Sequence, residues 1–443
     1  MAKVKRTSPH DQDQATEIAR PRSNKQERDV LMVDKKSKNY SPARARMKEV
    51  TGDLYQEARD AKAAGKPVGY STSNFIKELF EVFDLNVIYP ENHAAAVAAH
   101  KGAIPFCEKA EGLGYSMDLC SYARINLGFI EREEDFGFGL DIPEPDFLCV
   151  GNNICTTVIK WYENLAWKLD IPFIMFDVPY NTDGYYKKSK ITYMKKQVQG
   201  IVEQLEEISG KSFDYDKFQE VMEISAENGR LFQEALDLMG KTVPSPVSGF
   251  DAYNFMALMV IARGRKETTE VLRMYIEELK EKIISGESTF KGEEKYRILF
   301  DGLCCWPYLR SNSETLAENG INLVGTPYCG NYGVTFNDLY TLCEAYAKTN
   351  NATGIELGRD YRLGLIDDYH CDGVLCNVMR SCKPWVGIMF EMQRQLEHSR
   401  GLPYTTFDAD QADPRVFSQA QFETRVQGLA EIMESRKQHE PRK

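Results

Sequence analysis

Cys-Asp-Gly-Val-Leu-Cys-Asn-Val-Met-Arg-Ser-Cys-Lys-Pro-Trp, residues 371–385, reads as a buried strand at Gly373 to Cys376, a turn at Arg380 to Lys383, and a helix from Pro384 to His398. Proline suits the first helical turn, where its missing N–H costs nothing. Met389, Phe390, Met392 and Leu396 follow close to a helical period. Cys382 is thus placed at the carboxyl end of a strand, beside a helix N-terminus. That edge of an open α/β sheet is where ligands bind, and a helix N-terminus favours a thiolate. The pattern recurs earlier: Asp146 to Gly151 reads as a strand, Cys155 follows, and Thr156 to Asp170 is amphipathic. Two cysteines at equivalent corners point to one shared site.

Working outward, the run from Ile171 to Asp177 completes a strand, helix and strand unit, whose two strands should be parallel. Before it, Thr51 to Ala64 reads as a helix, Gly65 to Gly69 as a turn, Ser71 to Phe83 as a helix and Leu85 to Tyr89 as a strand with Glu91, Asn92 and His93 at its end. Ala94 to Gly112 and Tyr115 to Leu127 read as helices, and the acidic Glu131 to Pro145 as a loop. From Lys188 to Gly286 the period is helical throughout, over 188–209, 214–239, 250–263 and 266–285. Strands at 296–300, 321–324, 373–376 and 404–407 then alternate with helices, and a closing helix starts at Ser418 with a capping-box partner at Gln421. Alternation of this kind implies mostly parallel sheets. The expected architecture is α/β, with two Rossmann-like lobes (51–187 and 291–443), a helical insert (188–290) between them, and a tail (1–50).

At 443 residues the chain has room for two or three domains. Its 42% hydrophobic and 27% charged residues are ordinary for a soluble globular protein. There is no long apolar run and no apolar h-region behind the charged N-terminus, so neither a membrane span nor a secretory signal is expected, and the chain reads as cytoplasmic. The net charge of -11 argues against nucleic acid as the main partner. Residues 1–50 carry thirteen Lys or Arg against seven Asp or Glu, with few periodic apolar residues, and read as a basic, mobile tail.

Eleven cysteines in a reducing compartment are not expected to pair as disulfides. No C-x-x-C occurs, which removes zinc-ribbon and thioredoxin readings. Cys120, Cys155 and Cys382 each stand where an element ends beside polar residues. Thiolates at such corners bind iron-sulfur clusters, and cysteine is equally a common buried apolar residue; spacing does not choose between these. Asn152 and Asn153 offer amides at the Cys155 corner, or cap the next helix. Asp408, Asp410, Asp413 and Arg415 have a spacing compatible with a divalent cation, or with a turn held by a salt bridge. Glu91 and Ser73 bracket the strand at 85–89, and a carboxyl there serves as an acid or base if buried, or as an ordinary surface group; His93 has the same two readings. Neither G-x-x-x-x-G-K-[ST] nor G-x-G-x-x-G is present, so any nucleotide-driven step belongs to another protein.

Several segments together resemble the (R)-2-hydroxyacyl-CoA dehydratases. They are Tyr-Pro-Glu-Asn-His-Ala-Ala (89–95), Cys-Ser-Tyr-Ala-Arg-Ile-Asn (120–126), Asn-Asn-Ile-Cys (152–155), Lys-Trp-Tyr-Glu-Asn (160–164), Arg-Ser-Cys-Lys-Pro-Trp (380–385) and Asp-Gln-Ala-Asp-Pro-Arg (410–415). The likeness is to α-type subunits, including those for 2-hydroxyisocaproyl-, phenyllactyl-, 2-hydroxyglutaryl- and lactyl-CoA, and it runs in order from residue 50 to the end.

The resemblance implies a four-iron four-sulfur cluster held by Cys120, Cys155 and Cys382, with one iron left open for solvent or the substrate's thioester oxygen. It implies a one-electron mechanism: a ketyl radical anion expels the α-hydroxyl, the β-hydrogen becomes acidic, and the electron returns. Glu91 matches a residue placed to protonate the departing hydroxyl, and Ser73 one that bonds the substrate or iron ligand. It further implies a homologous β-type subunit and a separate ATP-hydrolysing iron-sulfur activator. The family often has two cysteines before the Asn pair, where this chain has Val150 and Gly151. It often has His-x-Asn where this chain has Asn377, Val378 and Met379. Two other readings share the fold or the cofactor: a benzoyl-CoA-reductase-like subunit, in which the electron is consumed, and a non-catalytic electron-transfer subunit.

Overall fold

The computed structural model describes residues 40–182 and 187–439. Helix α1 (Pro42–Ala63) is capped by Ser41, whose Oγ accepts the Arg44 amide at 3.0 Å. This corrects the tail reading for residues 42–50. Ala43, Met47 and Val50 are buried in a core shared with the helix Lys266–Ser285, whose Glu278 accepts the Ser41 hydroxyl and the Ala43 amide, each at 2.7 Å. Residues 1–39 of the expected tail lie outside the described residues.

Strand β1 (Val68–Ser71), helix α2 (Glu78–Val82), β2 (Asn86–Ile88), α3 (Pro90–Ala99), α4 (Ala103–Gly112), α5 (Ser121–Ile130), β3 (Phe147–Gly151), α6 (Thr156–Leu169) and β4 (Phe173–Phe176) form the first lobe. Its strands pair in the order β2-β1-β3-β4, all parallel, with Tyr70 beside Leu148 and Cys149 beside Ile174. Two readings are corrected here. Val68–Ser71 is an inner strand rather than a turn running into a helix, and only Glu78–Val82 is helical in 71–83. All four β1 residues are buried, so the strand lacks the apolar/polar alternation that marks a half-exposed one. The helix expected over 94–112 is two, broken where Lys101 takes a φ of 65° and the Phe136 ring fills the place a Gly102 Cβ would need, 2.2 Å away.

Helices α7 (Lys188–Ser209), α8 (Tyr215–Lys241), α9 (Phe250–Ile261) and α10 (Lys266–Ser285) follow. The buried face of α7 (Ile191, Met194, Val198, Leu205) packs with Phe147, Ile174 and Phe176 of the first sheet. Along α8, Phe218, Val221 and Met222 belong to that same core, whereas Phe232, Ala235 and Met239 belong to another, shared with α9, α10 and the second sheet.

The second lobe comprises β5 (Tyr296–Asp301), α11 (Leu309–Glu318), β6 (Ile321–Gly325), α12 (Pro327–Gly330), α13 (Leu339–Ala347), α14 (Ile355–Asp368), β7 (Gly373–Met379), α15 (Lys383–Arg400), β8 (Tyr404–Ala409) and α16 (Gln419–His439). Its strand order, β6-β5-β7-β8, again all parallel, repeats the first sheet strand for strand. In this order the winding reverses between the first and third strands of each sheet, and ligands sit in the crevice beyond their carboxyl ends. Among the described residues no helix is long and apolar enough to cross a membrane.

One buried ion pair ties the lobes and the helices together. Glu78 of α2 accepts from Arg263 Nη2 at 3.0 Å and from Ser225 Oγ at 2.6 Å, and Tyr346 of α13 bonds both the carboxylate and the guanidinium. Arg263 and Glu78 are 1% and 0% exposed. Breaking one side of such a pair leaves an uncompensated buried charge. Glu78→Gln is therefore expected to cost about 3 kcal/mol of unfolding free energy, seen in urea denaturation as a lower midpoint at unchanged slope.

Candidate active site

Each of the three cysteines singled out from the sequence occupies the N-cap position of a helix: Cys120 before α5, Cys155 before α6 and Cys382 before α15. An N-cap side chain ordinarily offers oxygen to the first free amides; here sulfur stands at that place, and none of the three thiols makes a capping hydrogen bond. The amides of Tyr122 and Ala123 act to lower the Cys120 thiol, those of Thr157 and Val158 the Cys155 thiol, and that of Trp385 the Cys382 thiol. Cys155 follows β3 and Cys382 follows β7, the third strand of each sheet. All three pack against one apolar cluster, where Cys120 and Cys155 both raise the pKa of Cys382. The positive ends of three helices face a common spot.

Burial pushes the Cys120 thiol up to about 12, with a further push from Cys155. Cys382 stands well above its ordinary value and Cys155 is raised, again chiefly by burial. Desolvation thus works against the helix N-termini, and the shift is upward at all three thiols, opposite to the direction expected for a helix-stabilised thiolate. All eleven cysteines are described, and these are the three that are not fully buried. Beside Cys120, the buried Ser121 Oγ and Gln411 Oε1 have no hydrogen-bond partner, while Gln411 Nε2 lies 3.4 Å from Cys120 Sγ. Among the described residues no three His, Cys, Asp or Glu side chains are close enough to hold a single metal ion. Three thiols around one spot, with a spare hydroxyl, instead fit a polynuclear cluster, which binds cysteine as thiolate.

Glu91 lies in the first turn of α3 and Ser73 in the loop after β1. The Glu91 carboxyl accepts the Ser73 amide on Oε1 at 3.1 Å and the Tyr162 hydroxyl on Oε2 at 3.2 Å. Ser73 Oγ lies 3.2 Å from the Tyr332 hydroxyl, which comes from the second lobe. Glu91 is 8% exposed, and burial raises its pKa against the opposing bonds from Ser73 and Tyr162. Its charge in turn raises the Cys155 thiol. The structure thus brings Ser73 and Glu91 to the cysteines.

The support behind the site is polar and buried. Asp410 accepts the Ser381 hydroxyl and amide and the amides of Ala412 and Asp413, the latter two at 3.0 Å. Ser381 Oγ accepts the Ser121 amide at 3.1 Å and Gln411 Nε2 at 3.2 Å. Arg124 of α5 donates to Asp413 at 2.9 Å and Glu111 at 2.6 Å, and Arg415 bonds the same two carboxylates. These carboxylates are engaged as in the turn reading of Asp413 and Arg415, with Asp408 paired to Arg380. Asn152 and Asn153 do not cap α6: the first bonds Asp177 and the Val178 amide, the second the Tyr346 carbonyl. His93 turns away from the thiols, its Nε2 2.7 Å from the Leu140 carbonyl, and burial lowers its pKa to about 4. Tyr162, Ser381 and Gln411 sit inside the quoted motifs but no role for them could be read there, and Asp410, whose spacing is compatible with a cation, instead accepts from the Ser381 turn; Tyr332 has no sequence signal.

A family model described as 2-hydroxyglutaryl-CoA dehydratase, D-component, matches residues 72–433. The chain belongs to that family. The D-component match spans Ser73, Glu91 and all three N-cap cysteines. The (R)-2-hydroxyisocaproyl-CoA dehydratase alpha subunit of Clostridioides difficile is 49% identical over 397 residues, 89% of this chain and 97% of that one. The (R)-phenyllactyl-CoA dehydratase alpha subunit of Clostridium sporogenes is 43% identical across 94% of this chain and 100% of its own. The (R)-2-hydroxyglutaryl-CoA dehydratase subunit alpha of Acidaminococcus fermentans is 36% identical across 90% and 98%.

The ion-pair network gives this D-component chain an acid limit. The Arg415 bonds hold the Glu111 carboxyl below its ordinary value; burial pushes Asp413 up, but Arg415 and Arg124 outweigh it and hold it low. Carboxyls depressed in the folded state contribute stability that is complete above the unfolded range near pH 4 and is lost as pH falls through their folded values. Asp413→Asn is expected to lower stability at neutral pH and make the acid loss shallower, measured by urea melts across pH 3 to 7 (about one melt per pH unit suffices).

Proposed function

We propose that this chain is the α-type subunit of an (R)-2-hydroxyacyl-CoA dehydratase, converting a 2-hydroxyacyl-CoA to the 2-enoyl-CoA. The observation that carries the reading is the meeting of three N-cap thiols with a buried carboxyl and hydroxyl pair, beyond the carboxyl ends of both sheets. The names of the relatives support the substrate class. Cys120, Cys155 and Cys382 would hold a four-iron four-sulfur cluster, leaving one iron without a protein ligand. When bound, such a cluster would supply the single, recycled electron that makes loss of the α-hydroxyl and of the weakly acidic β-hydrogen possible.

The chain's own residues then have distinct tasks. Glu91, favoured in its protonated form by burial, gives its proton to the departing hydroxyl, a contribution of the general-acid kind. Ser73 bonds that carboxyl and presents its hydroxyl to substrate. Tyr122, Trp306 and Tyr328, packed in the same cluster as the thiols, keep water out. The departures at 150–151 and 377–379 are filled by the protein itself: Val150 is in the apolar cluster, a Cβ at Gly151 would meet the Asn74 carbonyl at 2.7 Å, and Asn377 and Met379 bond Leu303. A homologous β-type subunit accords with the relatives' naming as alpha subunits, and a separate ATP-hydrolysing iron-sulfur activator with the absence of a phosphate-cradling glycine loop.

Anaerobic purification with the partner subunit tests the reading. Iron and acid-labile sulfide are expected in the wild type and lost from Cys120→Ala, Cys155→Ala and Cys382→Ala; metal-free, folded wild type would end it. Glu91→Gln should retain iron and lose about a hundredfold or more in kcat. With reductant in catalytic amounts the product should be enoyl-CoA, whereas stoichiometric consumption of reductant would assign a reductase.

A further inference from the structure

Ser73 belongs to the first lobe, yet its hydroxyl is held from the second. Tyr332, just beyond α12, reaches Ser73 Oγ at 3.2 Å across 259 positions of sequence. Behind it stands Tyr328, the two rings lying edge to face at 5.6 Å. Ahead of it, the Ser73 amide donates to the Glu91 carboxyl at 3.1 Å. Tyr332, Ser73 and Glu91 are 4%, 4% and 8% exposed, so bulk water does not substitute for these partners.

The Ser73 amide can only donate, so it holds Glu91 as an acceptor, while the Ser73 and Tyr332 hydroxyls hold each other, either being able to donate. Tyr162 holds the opposite oxygen of the same carboxyl. With donors on both oxygens the carboxyl plane is set, and the lone pairs left over are where its catalytic proton sits.

We infer that Tyr332, backed by the Tyr328 ring, is a positioning residue for the dehydration: it fixes the Ser73 side chain, and through the Ser73 amide the Glu91 carboxyl, only when the second lobe is seated on the first. The inference rests on the reading of Glu91 as the acid. Its test compares wild type, Tyr332→Phe, Ser73→Ala and the double variant, each as the full chain purified anaerobically with its partner subunit, and each also stripped of metal for thermal melts. Tyr332→Phe should keep the iron and sulfide content and leave KM for the acyl-CoA within about twofold, while kcat falls roughly ten- to a hundredfold, the scale of a misplaced reacting group. In the Ser73→Ala background the same change should remove little more, and the losses in thermal midpoint of the metal-free single variants should not add. An unchanged kcat, an equal loss in both backgrounds, or a rise in KM alone overturns the inference. Additive thermal losses overturn it independently, with wild-type turnover intact. A wild type that dehydrates no 2-hydroxyacyl-CoA overturns the reading of Glu91 and this inference with it.

Discussion

The carboxylate of Asp410 sets the relation between the two halves of the cysteine site. It is 1% exposed and surrounded by four donors from the Ser381 turn and the loop after β8. A buried charge is tolerated only with its hydrogen-bond partners in place, so these two segments have one common conformation. The Ser381 hydroxyl that donates to Asp410 also accepts the Ser121 amide, so the turn carrying Cys382 and the helix start carrying Cys120 share a single oxygen. Arg124, one turn into α5, closes the same arrangement through Asp413. The segments that carry Cys120 and Cys382 are placed chiefly by hydrogen bonds to oxygen, with Gln411 alone reaching a sulfur, so the positions of these thiols do not depend on bonds that they make themselves.

The repeated strand order explains why the site lies where it does. Each sheet presents a reversal of winding between its first and third strands. The first sheet supplies Ser73 after β1 and Cys155 after β3; the second supplies Cys382 after β7. The remaining groups come from helix starts next to these corners, Cys120 at α5 and Glu91 at α3. The site therefore draws on the carboxyl ends of both sheets, and neither sheet alone carries the full set.

Much of this was readable before any coordinates, for identifiable reasons. Long amphipathic helices such as α7, α8 and α10 carry enough periods to be placed within a few residues, and β3, α6 and β4 announce a parallel unit by length alone. Strand β1 was not readable, because four residues buried on both faces show no alternation and one of them is Gly69. The cysteines were visible as corner residues, but only the resemblance to a family separated them from eight others that prove fully buried. Tyr332 and Gln411 lie 259 and 291 positions from the side chains they touch, and a contact at that separation leaves no local trace in sequence.

Helix α8 runs for 27 residues, roughly 40 Å at 1.5 Å per residue. One end is embedded in the core beneath the first sheet and the other in the core beneath the second. It acts as a strut. The span between the sheets is then set by the stiffness of a packed helix, and widening it would mean sliding side chains out of both cores at once. Variation on such a scaffold has to come from exchanging side chains, since the span between the sheets has a fixed gauge.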